Sequence, residues 1–283
     1  MQPVGATAAR RGGTRMKINW EPVEELVTTI EQASGGTVGI AVAGPDGNRW
    51  SHNGQRQFKA ASTVKIPLMI EIYRQIDRGE RSLDERHVLS AIEKAAGSGV
   101  LLHLHDGIEL TIDDLIYLMI SISDNTATNM LIDLAGMDAV NATMLELGMS
   151  MSTLARKMKG RPAIEGEQEN LATPDDYVAI VDAIFGDRAT STAAREAMVT
   201  MLSRQQNARR IARYLPERAD LRWGSKTGSI AGVTNDVGFV ETPVGRMILA
   251  VFCEGFPDQH DGEYAIGELS RAALHAAGLW PAD

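Results

Sequence analysis

The sequence predicts an α+β fold: an antiparallel sheet drawn from both ends of the chain, flanked by terminal helices, with an all-helical lobe between. Three observations carry this. Strand patterns lie near the amino terminus and resume after Arg222. Helical spacing dominates from Ser62 to about Leu215. A last helix, with Leu269, Ala273 and Leu274 at helical spacing, follows the final strands. Strands at both ends and helices between suit one sheet closed by both termini, with a cleft where the lobes meet.

In chain order, a first helix starts at Pro22, a good first helical residue, and ends at Ala33 before Ser34-Gly35-Gly36. Thr37 to Ala43 reads as a strand, Gly44-Pro45-Asp46-Gly47-Asn48 as a turn, and Arg49 to Asn53 as the returning arm. Within the helical region, Thr111 followed by Asp114 forms a capping box, and Gly148 and Gly186 stand where helices stop. Val237 to Glu241 and Arg246 to Glu254 flank a hairpin loop, Thr242-Pro243-Val244-Gly245. The last helix covers about Glu263 to Ala277. The expected organisation is a leader- or tag-like segment over 1–19, an α/β lobe from 20–60 with 216–283, and a helical lobe over 61–215.

Composition excludes several classes. The 283 residues carry 28 Lys+Arg against 37 Asp+Glu, a net charge of −9, which disfavours a nucleic-acid partner. Hydrophobic residues at 44% and charged residues at 23% are globular proportions. The single cysteine, Cys253, excludes an internal disulfide and a cysteine-based zinc site, and lies in an apolar run that reads as core. No apolar run approaches the roughly 18 residues of a spanning helix. Arg10-Arg11 lacks the apolar stretch of a twin-arginine signal, so the chain as written reads as cytoplasmic, or as periplasmic or secreted if a leader was removed. A monomer with a small-molecule substrate and no cofactor is expected.

Three segments carry candidate chemistry. Ser62-Thr63-Val64-Lys65 opens a helix, where positions i and i+3 let hydroxyl and amine meet and free N–H groups favour an oxyanion. Lysine acts as base only when neutral, so its pKa must fall from about 10.4 toward 7 by burial and a second cation. Pro67 lies just beyond the positions that tolerate a missing N–H, so the first turn is expected to be irregular. Ser123-Asp124-Asn125 interrupts a helical run; its second hydroxyl suits proton relay and its amide suits holding a carbonyl. Lys226-Thr227-Gly228-Ser229 precedes the last strands and offers the second cation. Each segment alone also reads as ordinary structure: a helix cap, an Asp-Asn cap, a surface strand. Their joint occurrence does not.

In this order the three segments resemble the signature of penicillin-recognising serine enzymes, class A β-lactamases above all. Phe58-Lys59-Ala60-Ala61, Ser123 to Asn129 and Thr234-Asn235-Asp236 agree, and the likeness covers about Val38 to Leu274. It implies a β-lactamase/transpeptidase-like fold and a serine hydrolase that opens a β-lactam amide through an acyl-serine. It also implies Ser62 as nucleophile, Lys65 as base or relay, and Ser123 as proton donor to the ring nitrogen. Asn125 would hold the acyl amide, Lys226 and Thr227 the carboxylate, and the N–H groups of Ser62 and Ser229 the oxyanion, with no metal.

One departure stands out. The family's Arg-x-Glu-x-x-Leu-Asn loop, whose glutamate activates the deacylating water, aligns with Arg156-Lys157-Met158-Lys159-Gly160-Arg161-Pro162, so Met158 takes the glutamate's place. Glu165, Glu167 or Glu169 can substitute only if the loop folds differently. The departure leaves open slow deacylation, a D-alanyl-D-alanine peptidase or esterase on the same scaffold, or a non-turnover acylated sensor. His103-Leu104-His105 lacks a third ligand, Ser225 lacks a helical lysine partner, and Arg222 reads as a carboxylate aid or an ordinary ion pair.

Overall fold

The computed structural model describes residues 18–280; the leader-like segment expected over 1–19 lies almost wholly outside them. Helices are α1 Glu21–Ser34, α2 Lys65–Asp77, α3 Ile112–Ser121, α4 Asn125–Ala135, α5 Met137–Glu146, α6 Pro174–Phe185, α7 Thr192–Ser203 and α8 Gln259–Ala276. Strands are β1 Thr37–Ala43, β2 Arg49–His52, β3 Phe58–Lys59, β4 Arg86–Val88, β5 Glu109–Thr111, β6 Leu171–Ala172, β7 Arg222–Ile230, β8 Val233–Thr242 and β9 Gly245–Glu254. The main sheet has the order β2-β1-β9-β8-β7, antiparallel throughout, so strands from both ends of the chain meet where β1 pairs with β9.

Side-chain alternation sends each strand's residues to two faces. On one face Ile40, Val42, Leu249 and Val251 pack with Val23 and Val27 of α1 and Ile266, Leu269 and Leu274 of α8. On the other Ala41, Ala250, Phe252, Val237 and Phe239 join a core that takes in α2 to α7. Both faces are covered, which is why β1 and β9 read as near-continuous apolar runs.

Several boundaries differ from the sequence reading; the last helix begins a turn early, at Gln259 rather than Glu263. The strand expected from Val237 begins at Val233, because Thr234, Asn235 and Asp236 look like loop residues yet are buried and bonded. With Thr242 paired to Gly245, the hairpin loop shortens to Pro243-Val244. The capping box forms as expected: Asp114 N–H donates to Thr111 Oγ1 at 3.0 Å and Thr111 N–H to Asp114 Oδ2 at 2.9 Å.

Aromatic packing fixes the short segment ahead of α2. Phe58 stacks on Phe252 at 5.8 Å between ring centroids, and Tyr177 meets Phe252 edge-on at 5.5 Å. Gly39 makes room, since a Cβ there would lie 2.3 Å from the Phe58 ring. Phe58→Ala is expected to cost about 3–5 kcal/mol, measured by urea denaturation; a loss under about 1 kcal/mol would mean that this ring does not anchor the segment.

Candidate active site

Ser62 stands on a single 3₁₀ turn, Ala61–Val64, and is 7% exposed. The α-helix proper starts at Lys65 rather than Ser62, so Pro67 falls within its first turn, where missing N–H donors are tolerated. Four ties hold the preceding strand and turn. Asn235 Nδ2 donates to Lys59 O (2.8 Å) and Ala60 O (3.2 Å), Lys59 N–H donates to Glu254 Oε1 (2.6 Å), and Ala60 N–H to Asn170 O (2.8 Å). These ties fix Ala61 at φ 46°, a left-handed conformation costing a non-glycine residue on the order of 1–3 kcal/mol. Gly228 lets β7 run alongside, because a Cβ on it would lie 3.2 Å from Ser62 N.

The Lys65 amine is fully buried and turns toward the Ser-Asp-Asn loop. It lies 2.8 Å from Ser123 O, 3.0 Å from Ser123 Oγ and 2.9 Å from Asn125 Oδ1. The carbonyl and amide oxygens only accept, whereas a hydroxyl can also donate. The amine donates to all three oxygens, and the hydroxyl of Ser123 keeps its own proton to donate elsewhere. Its pKa is held well below 10.5, first by burial and then by the Lys226 charge, with Asp124 partly opposing. No hydrogen bond joins Lys65 to Ser62 Oγ among the described residues, so the amine sits on the serine's face but is engaged by Ser123.

Ser123 is itself at φ 62°. Asp124 makes that possible by capping α4: Oδ1 accepts from Ala127 N–H at 2.9 Å, while Oδ2 accepts from Val100 N–H at 2.7 Å and Leu101 N–H at 2.9 Å. Thus the Asp-Asn cap and the catalytic-type loop are one device. Asn125 Nδ2 donates one hydrogen to Ala96 O at 2.8 Å, leaving its second hydrogen for a ligand.

Across the turn, β7 presents Lys226, Thr227 and Ser229. Lys226 is fully buried with Nζ 2.8 Å from Thr227 O, and burial lowers its pKa to about 7, Arg210 adding to that and Asp236 opposing it. Behind the strand lies Arg210, 1% exposed. It donates to Gly228 O (3.0 Å), Asn235 O (2.6 Å) and Ser229 Oγ (2.6 Å) and pairs with Glu263 at 3.2 Å. Sequence reasoning passed over Arg210 and offered Arg222, whose exposed guanidinium bonds Ser203 Oγ at 3.2 Å outside the cleft. Nothing in the Arg209-Arg210 spacing points to β7; only the fold brings them together.

Two cavities open at Ser62. One, about 480 Å³, has Ser123, Thr227 and Arg210 on its walls. The other, about 60 Å³, has Asn125, Met158, Glu169 and Asn170. Met158 is bolted in place through its backbone, with N–H to Asn129 Oδ1 at 2.8 Å and O to Asn129 Nδ2 at 3.0 Å. Glu165 lines neither cavity, and the oxygens of Glu167 and Glu169 are already engaged. Glu165 is exposed, and Glu167 grips Lys159 (2.5 Å) and Arg161 (2.7 Å), which hold its carboxyl far below the usual range. Glu169 reaches the cavity wall, but Oε1 takes Arg156 at 2.8 Å and Oε2 takes Ala163 N–H at 2.7 Å. His103 and His105 line neither cavity, and neither does Ser225, a fully buried residue of β7.

Comparisons with known proteins place the chain by family and fold. The model of the β-lactamase enzyme family matches residues 22–277. The crystal structure of a β-lactamase from Sphaerobacter thermophilus is 59% identical, with TM-score 0.91 over 94% of this chain and 100% of that one. β-Lactamase AST-1 of Nocardia asteroides is 29% identical over 91% of this chain and 87% of its own length. A glutamate-for-leucine variant of PBP-A, solved as its acyl-enzyme with penicillin G, is 25% identical with TM-score 0.82, covering 90% and 96%. The fold is β-lactamase/transpeptidase-like, and the protein is a serine hydrolase of the β-lactamase type. The chain belongs to the β-lactamase enzyme family.

The buried Lys226 gives a signed prediction. Its folded pKa near 7 lies below its ordinary 10.5, so between those values the folded chain binds fewer protons than the unfolded one. Stability from this group therefore rises with pH across that window. Urea unfolding at pH 7, 8, 9 and 10 should show wild type gaining on Lys226→Met; a difference independent of pH would contradict the buried, depressed amine.

Proposed function

We propose that the chain opens β-lactam amides through an ester on Ser62 and releases the acyl group slowly. The observation that carries this is the buried Lys65 amine, desolvated beside Lys226 and seated on Ser123 and Asn125. Neutral Lys65 takes the Ser62 proton as Oγ attacks the carbonyl. The C–N bond breaks, and Ser123 passes a proton to the departing nitrogen. N–H groups of Ser62 and Ser229 receive the oxyanion. Thr227, with Lys226 and Arg210 behind it, meets the substrate carboxylate, and the second Nδ2 hydrogen of Asn125 meets the acyl amide. The chain works as a monomer without metal or nucleic acid; no helix among the described residues is long and apolar enough to cross a membrane.

Slow release rests on Met158 and on the occupied oxygens of Glu167 and Glu169, which leave water in the small cavity without a base. That same feature favours a second reading, a D-alanyl-D-alanine peptidase or esterase on this scaffold, whose signature is release of D-alanine from a short peptide.

Intact-mass spectrometry after mixing with nitrocefin should show one acyl adduct that outlasts the first turnover, absent in Ser62→Ala. Label retained on that variant would overturn the nucleophile. Met158→Glu, held by the same Asn129 clamp, is expected to speed deacylation by on the order of 10²-fold, read as adduct half-life. An unchanged half-life would mean that a missing base is not what limits release.

A further inference from the structure

The two cavities at Ser62 share three residues, Ser62, Ser98 and Ser229, and differ in size and chemistry. Resting on the reading of Ser62 as nucleophile and Ser123 as donor to the departing nitrogen, each cavity has a role. The leaving group lies on the Ser123 and Thr227 side, in about 480 Å³. The acyl arm lies on the Asn125 and Met158 side, in about 60 Å³. The arm side thus has about one eighth of the volume of the leaving-group side and takes the more compact of the two groups.

The narrowness is built into the backbone. Gly97 at φ 106° and Gly160 at φ 66° both take left-handed conformations that suit glycine. They meet so closely that a Cβ on Gly160 would lie 2.8 Å from Gly97 Cα and 2.8 Å from Ala96 O. Gly99, at φ 113°, packs against the Asp124 side chain, so Gly97-Ser98-Gly99 forms an arch pinned at both ends, with Ser98 O accepting from Asn125 N–H at 2.9 Å. The two segments touch main chain to main chain, so rotating a side chain cannot widen this contact.

The large cavity is distinctive in charge. In a chain of net charge −9, no carboxylate lines it among the described residues. Its walls carry Arg210, the amides of Gln205, Gln206, Asn207 and Gln259, and Arg209. Arg210 is buried and already paired with Glu263. Arg209 is exposed and makes no ion pair within 4 Å among the described residues; its charge acts on the buried Glu263 at longer range while its guanidinium faces the cavity.

We propose that this site selects amides with a compact acyl arm and a bulky, polar leaving group bearing a second anionic group beyond its carboxylate, and that Arg209 is the specificity-determining residue for that second group. The bond changes remain those of acylation at Ser62.

Time-resolved intact-mass measurement of acylation tests both halves without depending on deacylation. Two penicillins with one nucleus, carrying an acetamido arm or a two-ring aromatic arm, probe the small side. Two cephalosporins matched in size, with a carboxylate-bearing or a neutral C3 substituent, probe the large side. The acetamido compound is expected to acylate about 10-fold faster or more, the difference that overpacking a rigid pocket produces. The anionic cephalosporin should lead by about 3-fold, the scale of an exposed ion pair, and Arg209→Gln should erase that lead. Equal rates for the two arms, or for the two C3 groups, overturn the half they probe. An absence of adduct with all four compounds would instead overturn Ser62 as the nucleophile.

Discussion

Taking the Lys65 amine out of water is the constraint on which the rest of the site depends. A solvated lysine at neutral pH is a cation and has no lone pair to offer. Burial disfavours that charge, and Lys226 nearby disfavours it further. Desolvation this complete requires walls on every side: α2 itself, the Ser-Asp-Asn loop, and β7 brought in by the sheet. The fold supplies these walls while leaving Ser62 on the lining of two cavities.

Buried charge must be balanced, and the fold arranges this in alternation. Lys65, Lys226 and Arg210 are buried with Asp124, Asp236 and Glu263. Burial raises the Asp236 carboxyl, while Arg210 acts to lower it. Ala61 and Ser123 sit at positive φ on either side of the Lys65 amine, held by Asn235 on one side and by the Asp124 cap on the other. Such strain persists only where neighbours over-determine the backbone, and here the neighbours are the residues that shape the site.

The loop from Arg156 to Asn170 is as well anchored as the site it borders. Asn170 Oδ1 accepts from Ala155 and Arg156 N–H groups, and Arg156 pairs with Glu169. Glu167 and Glu169 are spent on holding the loop. These two carboxylates, which look like candidate bases in the sequence, are therefore fasteners in the fold, and the small cavity beside Ser62 is lined by a thioether.

The sequence by itself determined a good deal. Thr37–Ala43, the capping box at Thr111 and the two-ended sheet are visible because strand alternation, cap chemistry and turn residues act over a few neighbours. The three motifs were legible because a hydroxyl, an amine and an amide at those spacings are rarely found together by chance. Tertiary structure alone decided the rest. Asn235 and Asp236 read as loop residues until their burial between β7 and β9 is seen. Pro67 reads as misplaced until the 3₁₀ turn moves the helix start to Lys65. Arg210, the Gly97–Gly160 contact and the unequal cavities join segments tens of residues apart. The physical reason is range: local propensity is written in adjacent residues, whereas desolvation, charge pairing and close backbone approach depend on which distant segments the folded chain brings together.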